Sequence, residues 1–219
     1  LKSLCLFARN IGYQFRLGFS AFLGECSISV LMFVGNYVFM RYLGEDGVAA
    51  FSIACYIMPF IFMTGNAISQ SAQPIISFNH GAGKRGRVAE ARKVALLTAA
   101  GAGILLSSAL AFGVKYVAAL FLSTDTAGYL IASTGIPLMA AGFVFYIVNV
   151  TVIGYFQSVE RVSPATIYSL ARGLVFLVPS FLIMPHVAGT PGIWLALPVS
   201  EALTFILIAA TRIIKRKMR

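Results

Sequence analysis

Charge is what this chain has least of. Asp and Glu together number 7 in 219 residues, and all charged types reach only 11%, less than half the ~25% of an average soluble domain. That shortage excludes a water-soluble globule. Histidine is nearly as scarce: His80 and His186 lie in separate loops, without a metal-ligand or nucleophile companion at motif spacing. Cysteine occurs only at Cys5, Cys26 and Cys55, again without ligand spacing, so the three read as small apolar fillers. Gly81-Ala82-Gly83 lacks the strand and the Lys-Ser/Thr pattern of a phosphate loop and reads as a hinge. With no metal, nucleophile or nucleotide motif, the chain is not expected to be an enzyme and needs no organic cofactor.

What it has is apolar length. Hydrophobic residues make up 59% of the chain, and the mean hydropathy is +0.87. They fall into runs long enough to cross a bilayer, which takes ~20 residues per helix. Six spans are predicted: Gly18–Leu43, Ala49–Ser77, Ala95–Leu122, Tyr129–Gln157, Pro164–Met184 and Pro191–Arg212. Ser163-Pro164 and Thr190-Pro191 have the N-cap and first-turn chemistry that starts a helix. The fold class is therefore an all-α membrane protein, a bundle of six transmembrane helices. Residues 1–16 form an amphipathic lead-in, 17–212 the six-helix lobe, and 213–219 a basic tail. The start at Leu1, without a short apolar leader and cleavage site, reads as a fragment of a longer protein.

An even number of spans puts both termini on one side. All of the 17 basic residues except Arg41, Lys115 and Arg172 fall on that side, so the positive-inside rule makes it cytoplasmic in a multi-pass protein of the plasma (inner) membrane. The same basic patches meet anionic lipid headgroups. The net charge of +10 has no aromatic-interleaved basic surface with it, so nucleic acid is not an expected partner. Arg172, two turns into the fifth span, is expected to snorkel to the cytoplasmic interface. Pro59, Pro137, Pro179 and Pro198 each invite a kink within a span. Gly101 and Gly103 are expected to let helices approach closely.

Glu25 is the costly residue. It lies inside the apolar run 17–42, and an acidic group at mid-helix carries a penalty starting at about 2.5–3.5 kcal/mol. Ser29 and Asn36 follow it by four and seven residues on the same helix face. In the second span Tyr56, Met63, Asn66, Gln70 and Gln73 form a continuous stripe, and in the fourth Tyr146, Asn149 and Gln157 align. Polar stripes in lipid must face each other or a wet cavity. Glu25 is thus the candidate for binding a coupling ion or a cationic group, with Asn36, Asn66, Gln70, Tyr146 and Asn149 lining the cavity. Glu201, near the start of the last span, is a weaker candidate because it lies near the surface or pairs with a base.

The stretch Gln73-Pro74-Ile75-Ile76-Ser77-Phe78-Asn79-His80-Gly81-Ala82-Gly83, followed by basic residues, resembles the eighth-helix signature of multidrug and toxic compound extrusion (MATE) transporters. Gly154-Tyr155-Phe156-Gln157, Ser169-Leu170-Ala171-Arg172 and Leu177-Val178-Pro179 look like that family's tenth and eleventh helices. Gly192-Ile193-Trp194 with Pro198 and Glu201 is similar to its twelfth. The resemblance implies the C-terminal lobe of a twelve-helix secondary transporter. Such a protein exports amphiphilic or cationic drugs by alternating access, in antiport with Na+ or H+. It further implies a missing N-terminal lobe as partner and a Na+ or H+ site near Glu25. Where some members carry a tenth-helix aspartate, this chain has Tyr146. The rival readings are an exporter of lipid-linked sugars built on the same lobe, and a non-transporting membrane scaffold.

Overall fold

The computed structural model describes residues 8–217, so Leu1–Phe7 of the lead-in and the last two residues of the tail lie outside the described residues. Every regular element described is helical. Two of the helical stretches are too long to be single spans. Gly18–Gly81 covers 64 residues, which at 1.5 Å per residue would reach about three times across a hydrocarbon core. It breaks at Gly44 (φ 65°, ψ −154°), and Leu177–Lys217 breaks likewise at Gly189 (φ 61°, ψ −142°). Only glycine holds such a left-handed conformation without strain.

Six helices result. We name them α1 (8–43), α2 (45–81), α3 (Arg85–Ala119), α4 (Ala127–Ala140 and Phe143–Ser158), α5 (162–188) and α6 (190–217). They alternate in direction. Phe51 of α2 stacks on Phe39 of α1, Ser107 of α3 donates to the Ala140 carbonyl, and Tyr168 of α5 meets Thr211 of α6. The order and breaks agree with the six spans read from the sequence. The third helix starts ten residues before the predicted Ala95, because its basic first turns continue the helix beyond the apolar segment.

The prolines act unequally. α2 runs straight past Pro59 and α6 past Pro198 without a non-helical residue, whereas α4 bends by 45° after Pro137, at Ala141-Gly142. A β-carbon at Gly142 would lie 2.7 Å from the Pro198 Cα, so the bend lets α6 approach. In α5, Pro179 offers no N–H to the Val175 carbonyl and its ring crowds that group. The preceding turn, Ala171–Val175, widens into a π-helix closed by the Phe176 N–H on the Ala171 carbonyl at 2.8 Å.

Packing is densest at the end of the bundle carrying Gly44 and Gly189. Phe39 stacks on Phe51 at 4.5 Å and meets Trp194 edge-on at 4.7 Å, all three buried beside Ile136 and Phe143. Gly135 is there because the Trp194 indole occupies the space a β-carbon would need. Gly103 similarly admits the α4 backbone at Val144, but Gly101, expected to do the same, faces open space. Gly135→Ala should therefore overpack the core, costing about 1–3 kcal/mol in thermal unfolding of the detergent-solubilised protein. Gly101→Ala should be neutral or slightly stabilising in the same assay.

Candidate functional site

Towards the end that carries loop 82–84, the bundle opens into a groove of about 520 Å³ between α1, α2, α4 and α5. Gly18 and Gly24 leave it open space on α1, while Gly154 on α4 makes room for the Ser69 side chain of α2 in its wall. Its polar lining is Glu25 from α1, Asn66, Gln70 and Gln73 from α2, Gln157 from α4 and Arg172 from α5. The helical spacing explains the α2 contribution: residues 66, 70 and 73 are four and three apart and share one face. Glu25 is exposed to the groove, and no hydrogen bond or ion pair to its carboxylate occurs among the described residues. Gln157 is held by its donation to the Ser20 hydroxyl at 3.0 Å, which joins α4 to α1 along the groove wall.

Beneath the groove lies a second polar cluster. The Arg172 Nε donates to Glu201 Oε1 at 2.7 Å, with the two side chains 4% and 1% exposed. The Asn149 amide donates to the other carboxylate oxygen at 2.8 Å and to the Glu201 carbonyl at 2.9 Å. The Arg172 guanidinium rests on the Tyr146 ring, 3.9 Å from its centroid. This cluster cross-ties α4, α5 and α6, and its arginine reaches the groove that Glu25 lines. The pair is electrically balanced, so among the described residues the groove's net charge comes from Glu25.

The sequence-predicted residues therefore separate. Glu25, Asn66 and Gln70 come together in the groove. Asn36 is exposed on the same α1 face, about 16 Å further along the axis at 1.5 Å per residue, and does not line it. Tyr146 and Asn149 are buried behind the groove wall, engaged with Arg172 and Glu201. Glu201 is not near a surface; of the two options weighed for it, it takes the pairing with a base. Arg172 departs most from expectation: it is 3% exposed and turns into the bundle instead of snorkelling. A desolvated guanidinium needs a carboxylate more than it needs the interface, and Glu201 supplies one. Gln73 and Gln157, which lie on the polar stripes of the sequence, and Arg172 join the groove lining although the sequence reading does not include them among its site residues.

The described cysteines lie away from the groove lining. Cys26 and Cys55 are half-buried free thiols, and Cys5 lies outside the described residues. Among the described residues, no group of His, Cys, Asp and Glu is arranged to hold a metal ion.

The family model described as MatE matches residues 21–182. Solved structures match over nearly the whole chain. One is the outward-facing conformation of a multidrug resistance MATE family transporter of the MOP superfamily, with TM-score 0.84 and 21% identity, covering 97% of this chain and 49% of that one. A MATE transporter of Vibrio cholerae gives TM-score 0.86 and 15% identity, over 98% of this chain and 49% of that one. A MOP superfamily transporter from Pyrococcus furiosus, whose binding pocket is described as having reverse polarity, gives TM-score 0.84 and 19% identity, over 94% and 47%. The chain thus spans about half the length of the structures it matches. A comparison with curated proteins finds no match.

Proposed function

Because the chain belongs to the MATE family of membrane transporters, we propose that it forms the C-terminal half of a cation-coupled antiporter exporting amphiphilic or cationic compounds by alternating access. The observation that carries this reading is Glu25: a carboxylate in a membrane-spanning helix, exposed to a polar groove and without a basic partner among the described residues. A buried carboxylate of structural purpose finds a partner, as Glu201 does in Arg172. One left open to a cavity is available to Na+, to a proton or to the positive charge of a substrate.

The exposed polar stripe fits a face that another half covers. Glu25, Ser29 and Asn36 of α1 and Gln70, Gln73 and Ser77 of α2 are all exposed. So are large side chains between them, with Tyr37 at 56%, Tyr56 at 63% and Met63 at 65%. Their rings and thioether offer apolar and cation–π surface to flat cations. Loop 82–84, the exposed Lys84, Arg85 and Arg87 and the Arg161 that precedes α5 lie at one end, which by the positive-inside rule is the cytoplasmic one. Coupling then follows from linkage: an ion on Glu25 favours one arrangement of the two halves, and substrate favours the other. A lipid-linked sugar exporter would present a cationic groove, and Arg172 does not provide one because Glu201 neutralises it.

The reading is tested by equilibrium binding of a flat aromatic cation and of its uncharged analogue to the intact gene product. The cation should bind tighter, and Na+ or low pH should compete with it. Gln70→Ala, which removes a neutral hydrogen-bonding group, should weaken binding by about two- to tenfold while leaving thermal stability unchanged. Equal binding of both compounds, indifferent to Na+ and pH, would contradict the assignment.

A further inference from the structure

A second cavity, a crevice of about 700 Å³ between α2 and α3, shares no lining residue with the groove. Its walls are largely apolar: Ile68, Ala72 and Ile75 on α2 face Ala91, Val94 and Ala95 on α3, with the hydroxyls of Ser71 and Thr98 set among them. Alanines on both helices leave the gap that larger side chains would close. The volume lies within the ~300–1,000 Å³ of ordinary ligand sites.

One end of the crevice is different. Asn79, Arg87 and Glu90 line it where α2 ends and α3 begins. Asn79 is 7% exposed; its amide donates to the Ile75 carbonyl at 2.8 Å, and its Oδ1 has no hydrogen-bond partner. A buried acceptor in that state calls for a donor from outside the chain. The first turn of α3 holds no acidic residue and has no side-chain cap, so its amides and the helix dipole present positive charge at the same place. Lys84, Arg85 and Arg87 are exposed around it, opposed by the single acid Glu90.

An apolar slot along two membrane helices, with a cationic mouth and an unsatisfied acceptor at its basic end, complements one kind of molecule. Acyl chain matches slot, phosphate matches Arg87 and the helix start, and a headgroup hydroxyl matches Asn79. Free phosphate would satisfy the mouth and leave the apolar walls uncovered. We propose that the crevice between α2 and α3 binds one anionic phospholipid with a hydroxyl-bearing headgroup, its chain between the helices and its phosphate at the start of α3. The basis is independent of the transport reading, since no groove residue takes part.

The test uses the intact gene product in mixed bilayers of phosphatidylglycerol and phosphatidylcholine, with lipid retained on detergent extraction measured by native mass spectrometry. The unsubstituted protein should keep one phosphatidylglycerol in preference to phosphatidylcholine. The double variant Arg85→Gln/Arg87→Gln, which alters only exposed side chains, should weaken retention by about thirtyfold. Lys115→Gln, at the opposite end of α3, should leave it unchanged. Ala91→Phe, which fills the slot and keeps every charge, should also lose the retained lipid. Unchanged retention in the double variant, equal retention of the two lipids, or displacement by millimolar inorganic phosphate alone would each overturn the proposal.

Discussion

Glu25→Gln in the intact protein should abolish the ion dependence of export and weaken binding of a cationic substrate by about ten- to a hundredfold. The substitution keeps the shape and hydrogen-bonding capacity of the side chain and removes only its charge. Glu25 lines the groove without a basic partner among the described residues, so none of them is a buried cation stranded by the change, and the fold should tolerate it. A fluorescent cation followed in proteoliposomes, together with the melting temperature of the same preparation, separates lost function from lost structure. Full ion-coupled export by this variant would remove Glu25 from the mechanism.

The second large effect belongs to the buried pair. Arg172→Met or Glu201→Met should destabilise the protein by about 3–5 kcal/mol, because each leaves one charged or strongly polar partner desolvated and unpaired. Arg172 would lose the contact its Nε makes at 2.7 Å, and Asn149 would lose its charged acceptor when Glu201 is neutralised. The double variant Arg172→Met/Glu201→Met should recover most of that loss, since a balanced pair is worth little more than apolar packing of similar volume. A double-mutant cycle on thermal stability reads the coupling directly. Additive losses, with no recovery in the double variant, would show that the two residues act separately.

These contrasting carboxylates mark where sequence reasoning reached and where it stopped. The six spans were legible because glycine, proline and charge punctuate the chain: Gly44 and Gly189 hold the two breaks that separate α1 from α2 and α5 from α6. The α2 stripe was legible because straight helices keep their rotational register, so Asn66, Gln70 and Gln73 do share the groove face. The start of α5 was less so; the helix begins at Val162 after Arg161, with no side-chain cap from Ser163. Spacing alone does not say which way two different helices are turned towards each other. Arg172 and Glu201 are 29 residues apart on α5 and α6. The π-turn at Ala171–Val175 also rotates the helix about its axis just where Arg172 leaves it. Gly101 failed as a packing site for a simpler reason: two residues from Gly103, it faces the other way.

As half of a cation-coupled antiporter, the proposed function, this chain contributes Glu25 to ion-driven export. The most direct measurement reconstitutes the intact gene product in liposomes loaded with a flat aromatic cation and imposes, separately, an inward Na+ gradient and an inward H+ gradient. One of the two gradients should drive the cation out against its own concentration gradient, and the effect should vanish in Glu25→Gln. Movement that only runs down the substrate gradient, at the same rate with either ion or with none, would contradict it.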